Sequence, residues 1–196
     1  MTKAERTRQS IIEKTAPIFN AKGFAGTSLN DMITATGLTK GSIYGNFVNK
    51  DDVALAVFDY NYGKVASHIK NQVHLQNTAI EKLLVYPQTF RNFLKLPFLQ
   101  AGCPVLNTST EADDTHPLLR EKAINALGVW QKYMEKLINR GIQNNEIKED
   151  TNANHFAAIT MSLIEGAVMQ AKVTGKTTVL NITMDHLETM ILNLKK

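Results

Sequence analysis

The sequence predicts an all-α chain in which a small three-helix unit, residues 1–50, is joined to a larger helical domain, residues 51–196. Three observations predict it. Apolar residues recur at spacings of three and four along most of the chain, and no segment alternates with the two-residue period of a strand. Glycine and proline sit where helices start or stop, and Ser28, Thr39 and Asn49 supply side-chain caps.

Taken in order, residues 3–22 read as a first helix on Ile11, Ile12, Thr15, Ile18 and Phe19, with Gly23 past its end and a kink expected at Pro17. Ser28 followed by Asp31 resembles a capping box and opens a short helix whose inward face is Leu29, Met32, Ile33 and Thr36. Gly37 supplies the sharp turn, Leu38 plugs the corner, and Thr39 caps a helix expected over Lys40–Phe47, with Ile43 and Phe47 inward. A long helix follows from Asp51, with no breaker until well past Tyr62, so no flexible linker separates the two parts. Further helices are expected over 78–96, interrupted at Pro87, and over 105–111, 117–144, 152–174 and 177–194. The 152–174 segment is apolar on two sides, through Phe156, Ile159, Leu163 and Ala167 and through Met161, Ile164 and Val168.

Composition narrows the class. Hydrophobic residues make up 43% and charged residues 20%, a soluble globular balance. Residues 1–50 hold seven Lys/Arg against three Asp/Glu, so the whole +4 formal charge lies in the first quarter of the chain. Cys103 is the single cysteine, which excludes an internal disulfide and suits a reducing, cytoplasmic setting. No uninterrupted apolar run approaches the roughly 20 residues of a membrane span, and the first residues lack a signal-peptide core.

Within TSLNDMITATGLTKGSIYGNF, residues 27–47, Gly41 and Gly45 fall opposite the Ile43/Phe47 face, with Ser42 and Tyr44 on the flanks. A glycine inside a helix costs about 1 kcal/mol relative to alanine, so two on one exposed line imply a surface that something approaches closely. A DNA major groove fits that requirement. Over residues 6–60 the chain resembles the TetR family of bacterial transcriptional repressors. The matching residues are Arg8, Ile11, Ile12, Phe19, Gly23, Phe24, Thr27, Ser28, Gly37 and Leu38, then Lys40, Gly41, Ser42, Ile43, Tyr44, Phe47, Lys50 and Asp51. Thr15 and Ile33 stand where the family usually has a small residue and alanine, which affects packing. Gly45 and Asn46 also differ from many relatives, which affects base preference.

The resemblance implies a homodimer that binds a pseudo-palindromic double-stranded DNA operator and answers to a small effector. DNA contacts then fall to Thr27, Ser28, Thr39, Lys40, Gly41, Ser42, Tyr44, Gly45, Asn46 and Lys50. An effector, hydrophobic or amphipathic and cationic if Glu165 faces inward, is expected among Phe58, Tyr62, Phe90, Phe93, Cys103, Asn107, Trp130, Tyr133, Met161 and Glu165. The subunit interface is expected on Phe156, Ile159, Leu163, Leu180, Met184, Leu187 and Ile191. Glu111, Asp113, Asp114 and His116 match no metal-ligand spacing and read as a solvated turn. No catalytic constellation, cofactor motif or metal site is expected. The competing reading is a helical small-molecule-binding module or enzyme without DNA recognition, and the near-bare Gly41/Gly45 line is its best support.

Overall fold

Nine α-helices carry the regular structure of the computed structural model, which describes residues 1–196. They are α1 Lys3–Gly26, α2 Leu29–Thr36, α3 Lys40–Tyr44, α4 Lys50–His74, α5 Ala79–Arg91, α6 Pro104–Ala112, α7 Pro117–Gln143, α8 Ala153–Thr174 and α9 Thr178–Leu192. A 3-10 turn spans Phe93–Lys95, and one antiparallel bridge pairs Ile147 with Lys195. Capping boxes at Thr2/Glu5, Ser28/Asp31 and Thr78/Glu81 open α1, α2 and α5, each satisfying main-chain donors that a helix start leaves free.

Helix α1 breaks where the sequence ended it, at Gly23, with φ 73° and ψ −177°, and its dihedrals stay helical through Pro17. That left-handed φ suits glycine, and a Cβ there would lie 2.3 Å from Glu111 Oε2. Helix α5 stops at Arg91 instead of running to Leu96, because the Asn92 side chain donates to Gln88 O at 3.0 Å and competes with the main chain.

Packing divides the chain into two units, Met1–Lys64 with Pro104–Asn125, and Val65–Cys103 with Ala126–Lys196. The first has Ile11, Phe19, Met32, Ile43, Phe47, Val53 and Val57 buried inside it. Thr15, also buried, satisfies its hydroxyl by donating to Ile11 O at 2.7 Å.

The second unit has one continuous apolar core built from α5, α8, α9 and the parts of α4 and α7 that belong to it. Leu180, Met184, Leu187 and Ile191 are at most 1% exposed within this core, and Phe156 is also buried. Those five positions are therefore packing residues of the subunit itself, correcting their assignment to a subunit interface. The period of α9 had identified its buried stripe; it could not say whether that stripe met its own subunit or another. Of the expected interface residues, Ile159 is 48% exposed and Leu163 is half-buried. Helix α8 has the length and apolarity of a membrane span, but Ala157, Thr160, Ile164, Ala167, Val168 and Ala171 bury one face of it in the core.

Candidate nucleic-acid interface

The geometry around α3 rests on side chains that reach main-chain groups of another helix. Arg8, on α1, donates to Asn46 O at 2.6 Å and to Asp52 Oδ1 at 3.3 Å, and its guanidinium lies 3.9 Å from the Phe47 ring centroid. One cation therefore holds both the exit of α3 and the start of α4. Lys14 donates to Thr36 O at 3.2 Å, where α2 ends. Lys22 pairs with Asp31 at 2.7 Å, and this bond, with those from Ser28, holds the Asp31 carboxyl well below the usual carboxylate range. Gly37 closes the turn in the left-handed region at φ 71° and ψ 15°. Part of the N-terminal positive charge is thus structural.

Helix α3 is shorter than its pattern implied. It ends at Tyr44, with Gly45 in helical geometry as its cap and Asn46 and Phe47 in the turn that follows. Asn46 Nδ2 donates to Ser42 O at 2.8 Å, drawing the Asn46 side chain back along the helix. Thr39 Oγ1 accepts from Ser42 N at 3.2 Å. Lys40, Gly41 and Gly45 are exposed, Ser42 and Tyr44 half-buried, and Ile43 and Phe47 buried, as their register requires. An added Cβ at Gly41 would meet nothing nearer than Thr39 Oγ1 at 4.0 Å, so its own fold does not demand the glycine. At Gly45 a Cβ would lie 3.1 Å from Gly41 O, which is a local reason for that one.

Three expected contacts change character. Thr27 is fully buried and its hydroxyl donates to Gly23 O at 2.6 Å, closing the broken end of α1, so that hydroxyl is not available to a phosphate. Ser28 is committed to its capping box, accepting from Asp31 N at 3.1 Å. The Lys50 ammonium lies 4.4 Å from the Phe24 ring centroid.

Glu111 is not part of a solvated turn: its carboxylate accepts from Phe24 N at 2.7 Å and Ala25 N at 2.8 Å, the amides freed by the break at Gly23. His116 packs edge-on against Phe24 at 4.6 Å, with Nε2 3.6 Å from Asp51 Oδ1. Sequence reasoning missed the roles of Glu111 and Arg8. The break at Gly23 was the available signal for Glu111, since two freed amides need an acceptor. Exposed Val48, at 87%, was missed too, on the turn between α3 and α4.

The expected effector residues distribute over both units. Phe58 and Tyr62 stack at 6.2 Å in the first, where Asn107 Nδ2 donates to Asn20 O and Oδ1, both at 3.0 Å. Phe58 and Asn107 line a void there of about 30 Å³. Phe90, Phe93, Cys103, Trp130 and Met161 are buried in the second unit, with Phe90 and Trp130 stacked at 5.7 Å. Burial pushes the Glu165 carboxyl up to about 7, and the Cys103 thiol beside it opposes that shift. Trp130 Nε1 and Thr160 Oγ1 are buried without a hydrogen-bond partner. Tyr133 lines a different place, a groove between the end of α4, the start of α5 and the end of α7.

Two short helices joined by a left-handed glycine turn, the second exposing a cation at its start and a bare outer line, define a helix-turn-helix regulator of transcription. Comparison with known proteins narrows the class. The model of "Bacterial regulatory proteins, tetR family" matches residues 11–57, and that of the "Tetracyclin repressor-like, C-terminal domain" matches residues 79–187. A TetR-family regulator from Cytophaga hutchinsonii is 46% identical, covering 100% of this chain and 98% of that one, with a TM-score of 0.95. Another, from Chloroflexus aurantiacus, is 35% identical over 100% and 98%, with a TM-score of 0.93. The HTH-type transcriptional repressor DhaR of Mycobacterium sp. (strain GP1) is 22% identical over 166 residues, 85% of this chain and 82% of that protein. The chain belongs to the TetR family: it is a DNA-binding transcriptional regulator and not an enzyme.

Proposed function

We propose that the chain is a homodimeric, ligand-responsive repressor acting in the cytoplasm, with residues 1–50 serving DNA binding and residues 51–196 effector binding and dimerisation. The carrying observation is the α3 frame: Arg8 clamps the exit of α3, while Lys40, Ser42 and Tyr44 flank the exposed Gly41/Gly45 line. In that arrangement α3 enters the major groove of each operator half-site, the glycines let the backbone approach, and Lys40 meets a phosphate.

The subunit face is reassigned to the exposed apolar line of α8, Ile159, half-buried Leu163, Met169 and Val173, with Val179 and Ile182 of α9. Spacings of four, six and four keep the α8 residues on one side of the helix. The effector is a small amphipathic molecule, and Glu165 favours a cationic group on it because a buried carboxylate near neutrality gains most from an opposite charge. Its binding releases DNA only if it prefers the free geometry of the dimer.

A gel shift with the DNA flanking the gene, run at several salt concentrations, tests the reading. Sequence-preferring binding that weakens with salt and is lost on Lys40→Ala with Tyr44→Ala supports it. Equal affinity for operator and random DNA at low salt contradicts it. Sedimentation of Ile159→Asp separately tests the subunit face: a folded monomer is expected, and an unchanged dimer removes that face.

A further inference from the structure

Several cations of the second unit are engaged: Arg91 pairs with Asp185 at 2.8 Å and Glu188 at 2.9 Å, Lys196 pairs with Glu149 at 2.9 Å, and Lys82 donates to Asn77 O at 3.1 Å. Lys70, Lys136 and Arg140 have no carboxylate partner, and they line one groove together with Lys82, His74 and Tyr133. The groove is formed by the end of α4, the first turns of α5 and the last turns of α7, with a cavity of about 760 Å³.

Its one acidic wall residue is Glu146. That carboxylate accepts from Ala79 N, at the start of α5, and from Asn144 Nδ2 at 3.2 Å. Four Lys/Arg therefore face a single, already engaged carboxylate. The floor supplies something different: Val73 and Leu137 are buried, and the half-buried Tyr133 presents a ring. Burial raises the Tyr133 hydroxyl above its ordinary range while Arg140 nearby opposes the shift, which keeps this phenol neutral as a hydrogen-bond donor or acceptor.

Like charges gathered along one groove repel one another, and an anion that joins them relieves that repulsion. The volume is far larger than a single inorganic ion requires and falls in the range of small-molecule sites, about 300–1,000 Å³. Arginine offers a planar fork that matches phosphate oxygens in pairs, and lysines add charge without fixing geometry. Cationic walls over an apolar floor call for a ligand with a multiply charged end and a flat or apolar body.

We propose that this groove binds a phosphorylated small molecule of nucleotide size, with Lys136 and Arg140 on the phosphates and Tyr133 against the body. Its lining includes none of Cys103, Trp130, Met161 and Glu165, so it stands apart from the proposed effector site and does not depend on that reading.

Calorimetry on the full chain tests it, with ADP, pyrophosphate, adenosine and sulfate titrated at equal ionic strength. The proposal expects saturable binding of ADP and weaker binding of pyrophosphate, with no signal from adenosine. Lys136→Ala with Arg140→Ala should weaken ADP at least tenfold at an unchanged melting temperature. Lys70→Ala with Lys82→Ala, on α4 and α5, gives a second variant should the first fail to fold, and the same loss is expected. No saturable ADP binding at millimolar concentration, equal binding by sulfate, or unchanged affinity in a folded variant overturns the proposal. So does ready displacement of ADP by duplex DNA lacking the operator, which would make the groove a nucleic-acid surface.

Discussion

Both units bury an apolar core, but their polar ties fall in different places. In the first, charged side chains cross to main-chain groups of another helix: Arg8 to Asn46, Lys14 to Thr36, and Glu111 to Phe24 and Ala25. In the second, polar ties, Glu146 to Ala79 N and Arg91 to Asp185 and Glu188, flank a continuous apolar core that encloses polar atoms such as those of Glu165, Thr160 and Trp130. Directional ties fix one short helix in one orientation, which a DNA-reading surface requires. Apolar packing is non-directional, so the interior of the second unit holds fewer such fixed orientations.

The largest effect that separates the two is expected at Leu187, fully buried in the second core. Leu187→Asp buries a charge with no partner, a cost of roughly 3–5 kcal/mol or more, and should leave insoluble or unfolded protein by circular dichroism. A soluble, folded monomer would instead return Leu187 to a subunit interface.

Glu165 comes next. Its folded carboxyl titrates near 7, above its ordinary 4.5, so between those values the folded state holds the proton more tightly than the unfolded chain. Stability should therefore be greatest below about pH 4.5 as far as this group is concerned, fall by about 3 kcal/mol as pH rises toward 7, and stay level above it. Glu165→Gln should abolish that fall, and denaturant titrations at pH 5 and pH 8 measure it. Equal pH dependence in wild type and variant would place the carboxylate in a solvated setting.

A smaller effect is expected in the first unit. Glu111→Ala takes the acceptor from the part-buried Phe24 amide and leaves the exposed Ala25 amide to water, costing about 1 kcal/mol. Hydrogen exchange should quicken at those two amides and leave the core of the second unit unchanged. Uniform quickening everywhere would mean that Glu111 supports global stability and no particular joint.

How far the sequence foretold this difference depends on the range of the interactions. Ser28, Gly37, Thr39 and the Ile43/Phe47 register act over a few residues, so the helix-turn-helix and its exposed line were legible from spacing. Arg8 and Glu111 act across 38 and 87 residues, and no local pattern announces such partners. In the second unit the α9 stripe was identified correctly as apolar and wrongly as intermolecular, because periodicity marks a buried face without naming what buries it. The same limit applied to Phe90, Trp130 and Met161, whose apolarity fits a filled core and a ligand wall alike. The end of the first helix at Gly23 was legible too, because glycine suits its left-handed φ.

Arg8 holds the exit of α3, and the proposed DNA contact falls to Lys40. The direct test is the operator affinity of wild type, Arg8→Ala and Lys40→Ala, each measured by fluorescence anisotropy across a salt series. Lys40→Ala should lower the slope of log K against log salt by about one phosphate contact. Arg8→Ala should weaken operator binding and its preference over random DNA while keeping the wild-type slope. If Arg8→Ala instead loses the same slope as Lys40→Ala with its sequence preference intact, Arg8 is a phosphate contact and the frame described here does not set the reading helix.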